Sequence, residues 1–391
     1  MRRRRLLVAM AALSIAIVVF AYVGAPYARA ASFIVRAAGL GGRAEAFANH
    51  QARAVVVQSR HQVPTRYGDV PARMYVPEGT SRRTVLLVPG IHSMGIEEPR
   101  LTALADDLAG AGVKVMAMAL PDLQAYRITP RATEVIEDAV AWMAARPDLA
   151  PDGRVGIVGI SFAGGLSISA ASRPSIRDKV AFVLSFGGHG DLDRVMRYLT
   201  TGEAPRVSGL ETHPPHDYGV AVILYALADR GVVPADQVAG LREGIETFLL
   251  ASQLTLVSTD QANATFAKAR EMATKLPEPS RTFLTYVNDR AVSKLGPALV
   301  PYLHRLGTDD PALSPERIEH PPSATLFLLH GSDDTVIPAA ESAVFGEDLR
   351  RKGADVHVLH SGLITHAEVN RAATYVDLWK LIDLWAEVLE L

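Results

Sequence analysis

A serine hemmed in by small residues, Gly159-Ile160-Ser161-Phe162-Ala163-Gly164, constrains this chain more than any other stretch. A strand-like run, Arg154-Val155-Gly156-Ile157-Val158, leads into it, and the small-residue stretch 165–171 leads away as a helix. At a sharp strand-to-helix turn a serine sits in strained backbone with its hydroxyl projecting from the sheet edge. The residues two positions to either side must be small, because strand and helix nearly touch there. Here they are Gly159 and Ala163, with alanine standing where the pattern expects its second glycine. An ordinary joint with a capping serine would read the same, so the rest of the chain has to decide.

Short β-like runs begin after Arg53, at 55–58 and 72–76 around a turn at Tyr67-Gly68-Asp69. A buried strand at 84–88 ends in Pro89-Gly90-Ile91-His92. A helix at 99–110, a strand at 113–118, a loop at 120–130, a helix at 133–145, the strand into Ser161 and a strand at 180–185 follow. Strands alternating with helices of about a dozen residues predict a doubly wound, mostly parallel α/β sheet with helices on both faces. From about Gly190 to Pro322 the alternation stops. Helical patterns occupy 191–199, 218–230, 235–252, 260–275 and 290–306, punctuated by Pro214-Pro215, Pro234 and Pro277-Glu278-Pro279. This region, 191–321, reads as a helical cap inserted into a core of 53–190 and 322–391. The sheet resumes with strands at 324–329 and 355–359 and helices at 339–352 and 372–389.

The first residues speak to location. Arg2 to Arg5 precede Leu6 to Ala25, which carry no charge. Twenty helical residues rise about 30 Å, the thickness of a bilayer's hydrocarbon core. A basic block before such a stretch predicts a cytoplasmic arginine end and a chain exported beyond it. Residues 1–30 are therefore expected to be a signal anchor. Ala28-Arg29-Ala30 leaves cleavage as a signal peptide, and secretion, as the alternative. Residues 31–52, with a break at Gly39-Leu40-Gly41-Gly42, read as a connector. The chain has no cysteine, which excludes thiol catalysis, cysteine metal sites and disulfides, and a net charge of −2 argues against nucleic acid as a partner.

A serine nucleophile needs a base, a group to orient the base, and donors for a developing oxyanion. Each should come from loops at the carboxyl ends of the strands. One such loop is His330-Gly331-Ser332-Asp333-Asp334-Thr335-Val336-Ile337-Pro338, and another is His360-Ser361-Gly362-Leu363-Ile364-Thr365-His366. The order serine, acid, histidine differs from that of the chymotrypsin and subtilisin types.

With these motifs, residues 71–391 resemble the α/β-hydrolase superfamily, in pattern its dienelactone-hydrolase-like and prolyl-oligopeptidase-like members. The cap is similar to nothing nameable. The resemblance implies an acid loop of the form H-G-x-x-D-x-x-V/I-P, which maps onto His330, Gly331, Asp334, Ile337 and Pro338, so Asp334 is the expected acid and Asp333 the runner-up. It implies His366 as the base, with His360 as the fallback and His357 read as packing or exposed. It also implies an oxyanion hole made by the backbone N–H groups of Phe162 and Ile91. His92 could touch substrate or cap the helix behind it, and Asp191, near His189, is a substitute acid. His213 and His216 flank Pro214-Pro215, which opposes a helical metal site. No phosphate cradle or dinucleotide fingerprint is present, so no cofactor or metal is expected. The sequence thus predicts a serine hydrolase acting on a small-molecule carboxylic ester outside the cytoplasmic membrane. An exported peptidase of the same fold, or a non-catalytic binding protein on that scaffold, is the alternative.

Overall fold

The computed structural model describes residues 23–81, 83–255, 257–364 and 375–391. Among them eight strands form one sheet: β1 (Val55–Thr65), β2 (Gly68–Pro77), β3 (Thr84–Val88), β4 (Lys114–Met118), β5 (Val155–Ile160), β6 (Val180–Phe186), β7 (Thr325–Gly331) and β8 (Val356–Ser361). Their order is β1-β2-β4-β3-β5-β6-β7-β8. Only the β1–β2 and β2–β4 pairings are antiparallel. The helices before the serine are α1 (residues 23–37), α2 (Gly42–Gln51), α3 (Pro99–Gly110), α4 (Pro121–Gln124) and α5 (Pro130–Ala144). After it come α6 (Phe162–Ala171), α7 (Leu192–Thr201), α8 (Asp217–Leu227), α9 (Val238–Leu254), α10 (Thr259–Lys275), α11 (Ser280–Asn288), α12 (Val292–Leu299), α13 (Ala340–Arg351) and α14 (Tyr375–Glu390).

The inner strands are apolar on both faces because helices cover both. Successive side chains alternate between them: Leu86 and Val88 of β3 pack with α5 and α6, while Val85 and Leu87 pack with α1, α3 and α14. β3 is the hub. The chain leaves it to form β4 on one side and returns to form β5 on the other. The crevice where strand order reverses therefore opens at the carboxyl ends of β3 and β5, where open α/β sheets hold their ligands.

Three local expectations change. The hairpin is longer than 55–58 and 72–76, because the polar run through Gln58, His61 and Gln62 still pairs as an edge strand with β2. Helix α11 has no counterpart in the sequence reading. Its threonines and aromatics are weak helix formers, and tertiary packing holds it: Leu284 fills the space over Gly244, where a Cβ would lie 2.2 Å from Leu284 Cδ2. The helix expected at 290–306 ends at Leu299 and continues as a 3-10 segment, Val300–Leu306, where Pro301 removes a backbone donor.

Between β6 and β7 the chain runs through α7 to α12. The first of these is pinned to the core by charge. Arg194 reaches Glu316 at 2.5 Å and the fully buried Glu341 of α13 at 2.7 Å. Glu341 also accepts from the N–H groups of Gly190 and Asp191. A buried pair of this kind fixes geometry more than it adds stability.

Helix α1 belongs to the core: Ala30, Phe33 and Ile34 are buried, and the Phe33 and Trp385 rings lie 4.5 Å apart. Residues 1–22 lie outside the described residues. Among those described, no helix is long and apolar enough to cross a membrane.

Candidate active site

Ser161 joins β5 to α6 with φ 55° and ψ −132°, a backbone that L-residues rarely adopt. Three contacts hold it there. The Ser161 N–H donates to Phe186 O at 2.7 Å. The Gly164 N–H donates back to Ser161 O at 2.8 Å. A Cβ at Gly159 would lie 2.5 Å from Ala163 O, so only glycine lets the helix press this close. It is the Ala163 carbonyl that meets Gly159. Ala163 itself is fully buried, in the same core cluster as Phe162 and Leu166, so the fold accommodates its methyl at this turn. On its far side α6 needs glycine too, since a Cβ at Gly164 would lie 2.4 Å from Ser185 Oγ.

The loop after β3 arrives at the same point. A Cβ on Gly90 would be 3.1 Å from both Ile160 O and Ser161 Cβ. Ile91, next in the chain, is half-buried against the core. Phe162 heads α6, so its N–H is among the donors a helix leaves unpaired within itself. Ser161, only 8% exposed and with no side-chain capping bond, thus lies between the start of a helix and a glycine loop.

Asp334 is buried beside β7. Its Oδ1 accepts from the N–H groups of Val336 (2.8 Å) and Ile337 (3.0 Å), and Oδ2 lies 3.4 Å from His330 Nε2. That nitrogen is also 2.8 Å from Ile337 O. With two acceptors before it, Nε2 carries the His330 proton. Burial, and then the Asp334 charge, push the phenols of Tyr198 and Tyr218 up. Tyr198 donates to His213 O (3.0 Å) and Thr335 O (3.3 Å), and the His216 N–H also donates to Thr335 O (2.8 Å), so the acid loop is tied to the cap. Asp333, in contrast, has a buried Oδ1 with no hydrogen-bond partner among the described residues.

Of the other candidates, those among the described residues have structural partners. His366 lies outside the described residues. His360 Nε2 meets Ser342 Oγ at 3.0 Å, and burial lowers its pKa to about 4. His357 is half-exposed, beside Glu387 at 3.3 Å. His189 is fully buried, lowered to about 4 by that burial, with Nε2 donating to Leu313 O at 2.7 Å. Asp191 caps α7 and pairs with Arg317 at 3.0 Å, which occupies the proposed substitute acid. His92 does not cap α3. Glu98 does, accepting from the Leu101 N–H at 2.7 Å, while His92 Nδ1 accepts from the Met94 N–H. Burial lowers the His92 pKa, which keeps it neutral near pH 7. His216 caps α8. Among the described residues no group of three or more histidines and carboxylates could hold a metal ion.

The sequence reading missed a bridge between cap and core. Ser93 Oγ donates to Gln253 Oε1 (2.9 Å), and Gln253 Nε2 donates to the Tyr126 hydroxyl (3.0 Å). Ser93 sits three residues beyond Gly90, and Gln253 is on α9. Tyr126 follows α4 at φ 54°, a left-handed position that glycine usually fills. Its ring lies edge-on to Tyr225 at 6.0 Å. A tyrosine at that position signals that its side chain is needed, but the positive φ is invisible in sequence.

No protein-family model matches this sequence, and no curated protein matches it. Solved structures do. An acylaminoacyl peptidase in complex with Z-Gly-Gly-Phe-chloromethyl ketone superposes with a TM-score of 0.51 at 14% identity, over 90% of this chain and 44% of that one. This chain therefore spans less than half of that protein. The acylaminoacyl peptidase of Pyrococcus horikoshii gives 0.49 at 13% identity, over 89% and 44% of the two chains. A hyperthermophilic esterase from the archaeon Pyrobaculum calidifontis gives 0.45 at 14% identity, over 86% and 85%. Identities this low concern the fold alone. That fold is the α/β-hydrolase fold.

Proposed function

We propose that this protein is a serine hydrolase of small carboxylic esters, with Ser161 as nucleophile, His366 as base and Asp334 as the acid that orients it. The strained backbone of Ser161 carries this reading. A φ of 55° at a serine, held at the switch point of the sheet, is strain retained where chemistry needs the hydroxyl presented at the carboxyl end of the strand. In the first step Ser161 Oγ attacks the ester carbonyl carbon while His366 takes the hydroxyl proton. The N–H groups of Phe162 and Ile91 receive the developing oxyanion, and each such donor is worth about 3 kcal/mol. Collapse of the tetrahedral species breaks the C–O bond, and the alcohol leaves with the proton from His366. Water then repeats the sequence on the acyl-serine and releases the acid. Asp334 holds the imidazole in one tautomer and offsets its positive charge. The two backbone donors on Oδ1 support that role, because they favour the ionised carboxylate.

The enzyme acts outside the cytoplasmic membrane, held by its uncleaved N-terminal segment. The packing of Ala30 and the pairing of Arg29 with Glu390 support retention, because cleavage after Ala30 would remove both from the fold. A fluorophosphonate probe tests the nucleophile. Labelling is expected in the wild type and absent in Ser161→Ala, and labelling that survives the substitution rejects Ser161. A panel of graded esters set against peptides decides the scissile bond.

A further inference from the structure

One end of the molecule carries an apolar surface that the hydrolase reading does not use. Tyr27 of α1 stacks on Trp379 of α14, with ring centroids 5.7 Å apart and planes within 4°. Val376 lies one turn before Trp379, and Val23 one turn before Tyr27, so each falls on the same side of its helix as the stacked ring. Val23, Val376 and Trp379 are 58%, 62% and 60% exposed, and Ala25 and Ala28 are exposed beside them. Residues 23–28 contain no charge. Further along α14 the outward face becomes polar at Lys380, Asp383 and Glu387. The apolar surface is therefore confined to the end where α1 begins.

What lies beyond that end says what covers it. The 22 residues before Val23 comprise a charge-free run from Leu6 that continues through Ala25, preceded by Arg2 to Arg5. This run enters the fold at the Tyr27–Trp379 pair. Tyrosine and tryptophan concentrate at membrane–water interfaces, where an apolar ring and a polar edge can each be satisfied. Aliphatic neighbours on the same side extend that preference inward.

We propose that Val23, Tyr27, Val376 and Trp379 form a docking face that rests in the headgroup layer of the bilayer the N-terminal segment enters. The face fixes the orientation of the catalytic domain relative to the lipid. The proposal rests on the membrane reading above and extends it from an anchor to a second, structured contact.

The absence of cysteine makes the test direct. Val376→Cys and Glu387→Cys are introduced singly into the full chain, labelled with a nitroxide, and reconstituted in vesicles of phosphatidylcholine and phosphatidylglycerol. Both positions are exposed, so folding is preserved. The label at Val376 is expected to be about fivefold less accessible to an aqueous relaxant than the label at Glu387, and more accessible to oxygen. Equal aqueous accessibility in a chain that sediments with the vesicles overturns the face and leaves the anchor standing. A chain that stays in the supernatant overturns both. Shielding that follows protein concentration instead of lipid assigns the face to a second copy and also overturns the proposal.

Discussion

Gly90 and Ser161 approach so closely that a methyl group on the glycine would sit 3.1 Å from the serine Cβ. The two follow different strands, β3 and β5, which are paired in parallel at the centre of the sheet. Their contact sets the distance between the proposed nucleophile and the loop carrying the Ile91 N–H.

Gly90→Ala is therefore expected to displace that loop by a few tenths of an ångström while leaving the fold intact. Activity on a good ester should fall about tenfold to hundredfold, mostly in kcat, because small misplacements of an oxyanion donor are amplified in the rate. Steady-state kinetics with a thermal melt would check this. Unchanged kcat would mean that the loop does not position the oxyanion.

The Gly159 and Ala163 pair predicts unequal losses for two reverse changes. Gly159→Ala drives a Cβ against the backbone carbonyl of residue 163, at 2.5 Å, and against Ser167 Oγ at 2.7 Å. Neither can retreat cheaply, so a loss of roughly 2–4 kcal/mol of stability is expected. Ala163→Gly restores the consensus glycine but removes a buried methyl from the second helical position. It should cost about 1–2 kcal/mol and leave kcat nearly unchanged. Denaturant unfolding of both variants decides it.

The Ser93–Gln253–Tyr126 bridge should behave as a unit. Gln253→Leu removes both bonds and leaves Ser93 without its cap partner, whereas Tyr126→Phe removes only the bond between α9 and the segment after α4, so that Gln253 is no longer held toward Ser93. We expect kcat to drop by about threefold to tenfold in each, with KM little changed, and the double variant to be no worse than either single one. Additive losses would show that the two residues act separately.

Much of this architecture is legible in sequence because it is local. The alternation of strand and helix, and the small residues around Ser161, are patterns that a few neighbouring residues impose. The proposed acid loop is legible for the same reason: His330, Gly331 and Asp334 sit within five positions, and their mutual contacts are short-range. What escapes is decided at a distance. Helix α11 follows from Leu284 meeting Gly244. Tyr126 adopts a glycine conformation beside Gln253, more than a hundred residues away. The middle of β1, at Gln58, His61 and Gln62, is polar, so the length of the hairpin depends on pairing that composition conceals.

Acid should weaken the fold in a defined window. His189 and His360 are lowered to about 4 by burial, from an ordinary 6.5. The unfolded chain takes up protons at these sites below pH 6.5 while the folded chain resists until about 4. Their stabilisation is therefore complete above pH 6.5 and lost as pH falls through that window. Asp107 opposes them. Burial near Arg36 raises it to about 6 from 3.8, so its destabilisation at neutral pH is relieved as pH falls below 6. Unfolding free energy measured from pH 7 to 4.5 should decline, with the decline flattened in His360→Gln and steepened in Asp107→Asn. Identical slopes in all three would contradict these assignments.

The two aspartates offer the sharpest test of the site. Asp334→Asn keeps an oxygen for the Val336 and Ile337 N–H groups, so the loop can stay folded. Its amide nitrogen then faces His330 Nε2, a donor against a donor, where Oδ2 stood at 3.4 Å. Turning the amide relieves that clash only by losing both backbone bonds. Stability should fall by about 1–3 kcal/mol. If Asp334 also orients the base, kcat should fall about 10⁴-fold, far more than the unfolding accounts for, because the imidazole loses its tautomer and its counter-charge. Asp333→Asn neutralises a carboxylate whose buried Oδ1 has no hydrogen-bond partner among the described residues, and it should leave kcat within about threefold. Kinetics at saturating ester, with folding checked by circular dichroism, separates the cases. A large kcat loss in Asp333→Asn with a small one in Asp334→Asn would move the acid by one residue, and a small loss in both would remove it from this loop altogether.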